Sequence, residues 1–122
     1  MQAMANARGL RLRPHAKTHK STAIGALQIE RGAVGICCAK LGEAEVFAAA
    51  GFVDIRLPYP LNPVNADRVF ALAERVTLSF IVDDPAVAQA WSDLAVQRGR
   101  RLEVLVKVDV GFHRCGIDPV TE

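Results

Sequence analysis

The chain has 122 residues, 51% of them hydrophobic and 23% charged, which suits one domain with a buried core and excludes a disordered segment. A net charge of +2 leaves no footprint for nucleic acid, because the early basic cluster Arg8, Arg11, Arg13, Lys17 and Lys20 has no neighbouring aromatics for base stacking. No apolar run of about 18 residues and no basic-then-apolar leader occurs, so neither a membrane partner nor export is expected, and the cytoplasm is the expected compartment.

Residues 1–8 read as the tail of a helix, with helix formers, no N-cap, and Gly9 where a C-terminal cap falls. Residues 10–17 read as a short strand. Ser21 and Thr22 can cap a helix running to about Arg31, with Ile24, Leu27 and Gln28 or Arg31 at helical spacing and Gly32 as the stop. Residues 33–39, AVGICCA, form an apolar strand. Its adjacent Cys37 and Cys38, with Cys115 far away, fit neither a disulfide framework nor the CxxC spacing of a zinc site, and read as buried free thiols. A helix over 41–50 carries Glu43 and Glu45 early, where the dipole favours acids, and ends before Gly51.

A strand over 54–60 stops in proline, and a helix over 66–76 puts Val69, Phe70, Ala73 and Val76 on one face. Residues 77–82 are a fourth strand. Asp84 then supplies an N-cap with Pro85 at the first helical position, Val87, Trp91 and Leu94 make the inner stripe, and Gly99 closes the helix. A fifth strand over 102–109 runs into a loop over 111–122.

Strands alternating with helices mean parallel βαβ units. In the fifth strand Leu102, Val104, Val106 and Val108 face one side and Glu103, Leu105, Lys107 and Asp109 the other; in the fourth, Leu78, Phe80 and Val82 stand against Thr77, Ser79 and Ile81. An open α/β sheet is greasy on both faces, whereas a polar inner face with an apolar outer one fits a (β/α)8 TIM barrel. No GxGxxG follows the first strand, so a dinucleotide fold has no support. The expectation is an α/β chain holding about five strand-helix units of a barrel that needs eight and typically about 250 residues.

The stretch over 10–20, LRLRPHAKTHK, is where chemistry would sit. As a strand it turns Leu10, Leu12, Pro14 and Ala16 one way and Arg11, Arg13, His15 and Lys17 the other. Like charges crowded around an amine favour its neutral, nucleophilic form, which makes Lys17 the candidate reactive residue. A solvated basic edge strand has the same pattern, and pattern alone leaves both readings open. Arg13, deeper on the inner face, would pair with an acid such as Asp109, and Tyr59 would line the mouth.

RPHAKTHK, residues 13–20, resembles the segment carrying the pyridoxal-phosphate lysine in the D-threonine aldolase and D-serine dehydratase family, whose N-terminal domain is an alanine-racemase-like barrel. AKLGEAE over 39–45, LPYP over 57–60 and VDVGFHRCG over 108–116 extend the resemblance along the whole chain. It implies that Lys17 is the Schiff-base residue, with Arg13 and Arg114 beside the cofactor. Arg114 lies in a loop similar to DTGxxRxG and would steer the substrate carboxylate together with Tyr59; a plain loop arginine paired with Asp109 or Asp118 is the alternative. His15 would orient the ring or shuttle protons, and His19 would reach the substrate, unless each is a structural donor. Lys107 matches a lysine that supports the arginine in some racemases, or simply pairs with Glu103 or Asp109, and His113 reads as a loop residue.

For activity, the resemblance implies a pyridoxal 5'-phosphate-dependent lyase acting on a small D-amino acid with a β-hydroxyl. The products would be glycine and an aldehyde, or a keto acid after loss of water. Both reactions would use a divalent metal whose ligands lie in a C-terminal β-domain that this chain lacks, so it offers no metal site and does not separate aldolase from dehydratase. KTHK in place of a KANAYGHG-like run, and Ser21 where a tyrosine would follow Lys17, argue against racemisation. An alanine-racemase-like or non-catalytic pyridoxal-phosphate-binding barrel is the alternative, beside an inert product of a broken reading frame. Residues 1–122 are expected to be a partial barrel domain, truncated at both ends, inactive alone and homodimeric at full length.

Overall fold

In the computed structural model, which describes residues 1–120, the elements follow as α1 (Gln2–Ala7), α2 (Thr22–Glu30), β1 (Ile36–Cys37), α3 (Leu41–Ala49), β2 (Asp54–Pro60), α4 (Ala66–Ala73), β3 (Thr77–Val82), α5 (Pro85–Gln97) and β4 (Glu103–Val106). The capping signals act as read: Ser21 Oγ accepts the Ile24 N–H at 3.3 Å and Asp84 Oδ1 accepts the Val87 N–H at 2.8 Å.

All strands are parallel and lie side by side in chain order, β1-β2-β3-β4. A doubly wound sheet reverses direction at a switch point; strands added always on the same edge make the wall of a barrel. A further extended segment flanks β1, where the Leu12 and Pro14 carbonyls accept the N–H groups of Val34 and Cys37 at 3.0 and 2.8 Å and His15 bridges Cys37. The sheet is thus an open arc of a barrel.

The alternation expected for the last two strands holds only in part: in β3 Ser79 and Ile81 are buried along with the apolar face, and in β4, at the edge of the sheet, Val104 and Val106 are exposed. Leu78, Phe80 and Val82 join Ile36, Ile55 and Leu57 in the core with Phe47, Val69, Phe70 and Trp91 from the helices. On the inner face Arg56 Nε donates to Ser79 Oγ at 2.9 Å, and the same guanidinium lies 3.7 Å from Glu103. Phe80, with no exposed surface, has its ring centroid 5.0 Å from that of Trp91, whose Nε1–H donates to the Leu61 carbonyl at 2.9 Å. Trp91→Phe leaves that carbonyl without its donor and is expected to cost about 1–2 kcal/mol, read as a lower urea midpoint.

Several expected elements are shorter. Between 10 and 17 no regular strand forms: Leu10 is 61% exposed, Ala16 is 1% exposed, and the chain turns inward after His15. Pro14 has no N–H to give to a ladder, so the segment pairs with β1 only through the Leu12 and Pro14 carbonyls and the single bridge at His15. β1 is two residues, and ahead of it the Ala33 N–H is taken by the Gln28 carbonyl of α2. β4 covers Glu103–Val106, and the strand expected beyond it is reduced to a bridge between Val108 and Ile117. Thr121 and Glu122 of the expected final loop lie outside the described residues.

α2 differs in its face as well. Ile24 and Leu27 are exposed, and Gly25 is the residue turned inward. A β-carbon at Gly25 would stand 2.8 Å from the Phe52 ring and 3.0 Å from that of Phe47. The helix therefore approaches the layer below it through its smallest residue, which no hydrophobic period announces.

Cys38 is buried, and that burial pushes its thiol up to about 12; Cys37 and Cys115 are half-buried. Among the described residues no helix is long and apolar enough to cross a membrane.

Candidate active site

Lys17 sits on a three-residue 3-10 turn, Ala16–Thr18, at the point where the extended segment leaves the carboxyl end of the sheet. Residues of HAKTHKS each serve the turn. His15 Nδ1 accepts the Lys17 N–H at 3.2 Å, the Ala16 carbonyl accepts the N–H groups of His19 and Lys20 at 3.2 and 2.8 Å, and His19 Nδ1 accepts the Ser21 N–H at 3.1 Å. The buried Ala16 methyl anchors the turn in the core, while the Lys17 side chain is exposed. Because His19 uses Nδ1 as an acceptor, its proton is on Nε2, which is buried and has no hydrogen-bond partner.

Glu43 ties this turn to the next strand-helix connection. One carboxylate oxygen lies 3.2 Å from Lys20 Nζ and the other accepts the Ala39 N–H at 2.9 Å. Burial alone would raise the Glu43 carboxyl; the Ala39 N–H and the Lys20 ammonium outweigh it and hold the group below its ordinary value. Lys20 has a φ of 50°, the left-handed region, and the ion pair helps to keep it there. Glu43 was legible only as an acid favoured by the helix dipole. Its reach goes one residue past the Lys40 N-cap of α3, to the Ala39 N–H, outside the capping-box pattern.

Burial first, and then the charge of Lys17, hold the His15 imidazole below its ordinary 6.5, against the raising effects of Glu43 and the Cys37 backbone. The folded chain therefore takes up this proton less readily than the unfolded one. Its contribution is undiminished above about pH 6.5 and is lost as pH falls through the window between that value and the folded one. His15→Asn is expected to remove this pH-dependent part of the urea midpoint between about pH 7 and 5.

Arg13 is placed elsewhere. Its guanidinium grips the Asp54 carboxylate at 2.7 and 2.8 Å, at the first residue of β2 and so at the amino end of the sheet, away from the turn. That pair raises the Arg13 pKa. The expected partnership with Asp109 is replaced, because Asp109 is engaged by its own loop. Its Oδ1 accepts the N–H groups of Gly111, Phe112 and His113 at 2.9, 2.9 and 3.1 Å, and Oδ2 lies 3.0 Å from His113 Nδ1. The His113 N–H leads the causes that hold Asp109 below the usual carboxylate range.

That loop presents Arg114, whose guanidinium carbon lies 5.4 Å from the Phe112 ring centroid. It is pinned at its far end, where the Gly116 N–H donates to Asp83 Oδ2 at 2.9 Å and Ile117 bonds back to Lys107 and Asp109. Tyr59, half-exposed, stands in an irregularity of β2 where the register jumps from Leu57 to Pro60. The two flanking prolines withhold the N–H groups that would keep the ladder regular. His15, Lys17 and His19 thus share one turn, Tyr59 and Arg114 lie at the same carboxyl end of the sheet, and Arg13 is at the other. Lys107 follows β4 on the inner face, where its N–H bonds Val82. Asp54, Glu43 and Asp83, which organise these pieces, carried no sequence signal of doing so.

The chain matches the family described as alanine racemase, N-terminal domain, over residues 1–122. It is 42% identical over 118 residues to a D-threonine aldolase from Arthrobacter sp., covering 96% of this chain and 31% of that protein. A D-threo-3-hydroxyaspartate dehydratase from Delftia sp. (strain HT23) is 40% identical over the same shares. Among solved structures, a D-threonine aldolase from Filomicrobium marinum superposes with a TM-score of 0.90 at 36% identity, over 98% of this chain and 32% of that one. The chain spans about a third of the length of these relatives.

Proposed function

The chain belongs to the alanine racemase N-terminal domain family, and from that premise we propose that it forms the lysine-bearing part of a pyridoxal-phosphate-dependent lyase for D-amino acids with a β-hydroxyl. The observation that carries this reading is the capped turn that presents the Lys17 side chain at the carboxyl end of a parallel barrel wall, where such barrels hold their chemistry. The substrate class is the one shared by relatives named D-threonine aldolase, D-threo-3-hydroxyaspartate dehydratase and D-serine dehydratase.

The donor set fits the cofactor: an exposed amine, an unspent Nε2–H on His19 two residues away, and a guanidinium on a pinned loop at the same end. Bound pyridoxal phosphate supplies an aldehyde that condenses with amines and a ring that takes up the electron pair released at a substrate carbon. Lys17 offers the condensing amine. His19 offers its Nε2–H as a donor to an oxygen of the bound molecules, Arg114 takes the substrate carboxylate, and Tyr59 closes the mouth on one side. Arg13 supports the wall from its amino end through Asp54.

A divalent ion at the substrate hydroxyl is proposed to be held by residues of the longer chain. Activity is accordingly proposed for the longer chain and not for this stretch alone. The test is borohydride reduction of the full-length protein with pyridoxal phosphate, followed by peptide mapping. The label is expected on Lys17; a label confined to Lys20, Lys40 or Lys107 overturns the assignment. Glycine plus an aldehyde, or a keto acid plus ammonia, then identifies the reaction.

A further inference from the structure

The acceptor that holds the Lys17 turn is unusual in kind. Among the described residues two three-residue 3-10 turns occur, Ala16–Thr18 and Pro63–Asn65, and both are capped in the same way. The residue before each is extended, His15 with φ −97° and ψ 113° and Asn62 with φ −75° and ψ 131°. Each side chain accepts the main-chain N–H two residues on, His15 Nδ1 from Lys17 at 3.2 Å and Asn62 Oδ1 from Val64 at 2.9 Å. An amide oxygen always has a lone pair for this bond. An imidazole Nδ1 has one only while the ring is uncharged and its proton sits on Nε2.

The surroundings favour that form. His15 is half-buried at the bridge to Cys37, and the charged group on its own turn is Lys17. Glu43 from α3 and the Cys37 backbone from β1 act the other way. Meanwhile Nδ1 is already spent on a main-chain N–H, so that nitrogen has no free lone pair to take a proton from a substrate. We propose that His15 is a positioning residue for Lys17: its uncharged ring holds the Lys17 N–H through Nδ1 and so sets the direction in which the Lys17 side chain leaves the sheet.

This inference rests on Lys17 being the condensing amine, and the experiment separates the two. In the full-length protein, the rate at which pyridoxal phosphate and borohydride trap Lys17 is compared with the rate at which trinitrobenzenesulfonate modifies it, both by peptide mapping. The second reagent needs a free amine but no particular approach. His15→Leu is expected to slow trapping about tenfold and leave trinitrophenylation within about twofold, while His15→Asn, which rebuilds the Asn62 type of cap, brings trapping back to within about threefold of the unaltered protein.

If His15→Asn traps as slowly as His15→Leu, or if trinitrophenylation falls in step with trapping, the ring acts on the amine's proton and the positioning role is overturned. Equal trapping in all three proteins overturns it as well. Trapping on another lysine in the unaltered protein sinks the assignment of Lys17 itself, a result distinct from any of these.

Discussion

Alanine at position 17 is expected to abolish pyridoxal-phosphate trapping and to lower turnover by the full-length enzyme about 10³-fold or more, since a covalent route loses its amine. The fold should not notice. The Lys17 side chain is exposed, and the bond that holds the turn comes from its main-chain N–H, which alanine keeps. Lys17→Arg sharpens the test: it retains positive charge at the mouth, but a guanidinium is never deprotonated near neutral pH and is no nucleophile. If charge alone mattered, arginine would keep much of the activity; the expectation is that it is as inactive as alanine. Turnover above about a tenth of the unaltered rate in either variant, with an unchanged melting temperature, would remove Lys17 from the chemistry.

The largest expected effect on stability comes from a residue with no side chain. Arg13 reaches Asp54 on β2 by crossing the chain just ahead of β1, at Gly35. A β-carbon on Gly35 would fall on the Arg13 guanidinium and 2.7 Å from the Asp54 carbonyl oxygen, and the residue has a φ of +155° that suits glycine. The guanidinium can swing aside; the backbone of β2 cannot do so without moving the sheet. Gly35→Ala is therefore expected to cost about 3 kcal/mol, from overpacking and from the lost ion pair together.

Arg13→Ala alone is expected to cost about 2 kcal/mol, by leaving a half-buried carboxylate without its fork of donors. In the Gly35→Ala background the pair is already broken, so the second substitution should cost at least about 1 kcal/mol less than it does alone. Urea denaturation of the four proteins measures this. Strictly additive costs would mean that Gly35 and Arg13 do not share the site described here.

The same pair marks where the sequence stops being sufficient. Alternating polarity in residues 77–82 picked out Leu78, Phe80 and Val82 for the core, and Ser21, Asp84 and Gly51 marked ends of helices, because these signals depend on neighbours within a turn or on the two-residue repeat of a strand; the valines of 102–109 alternate as well but are exposed at the edge of the sheet. RPHAKTHK drew attention to Lys17 through its crowded charge and its resemblance to a known segment; that its histidines accept main-chain N–H groups two residues away came only from the structure. The alternation failed where the chain turned inward after His15, and the helical period failed where α2 approached through Gly25 and left Leu27 exposed.

From its order of residues alone, then, the chain determined its strand-helix rhythm and the parallel units that follow from it. Only the folded sheet decided that Arg13 meets Asp54 rather than Asp109, that Glu43 binds Lys20, and that Asp83 holds the loop of Arg114. Those partners are set by which strands lie side by side and in what register, and that is a property of the packed sheet that no local spacing contains.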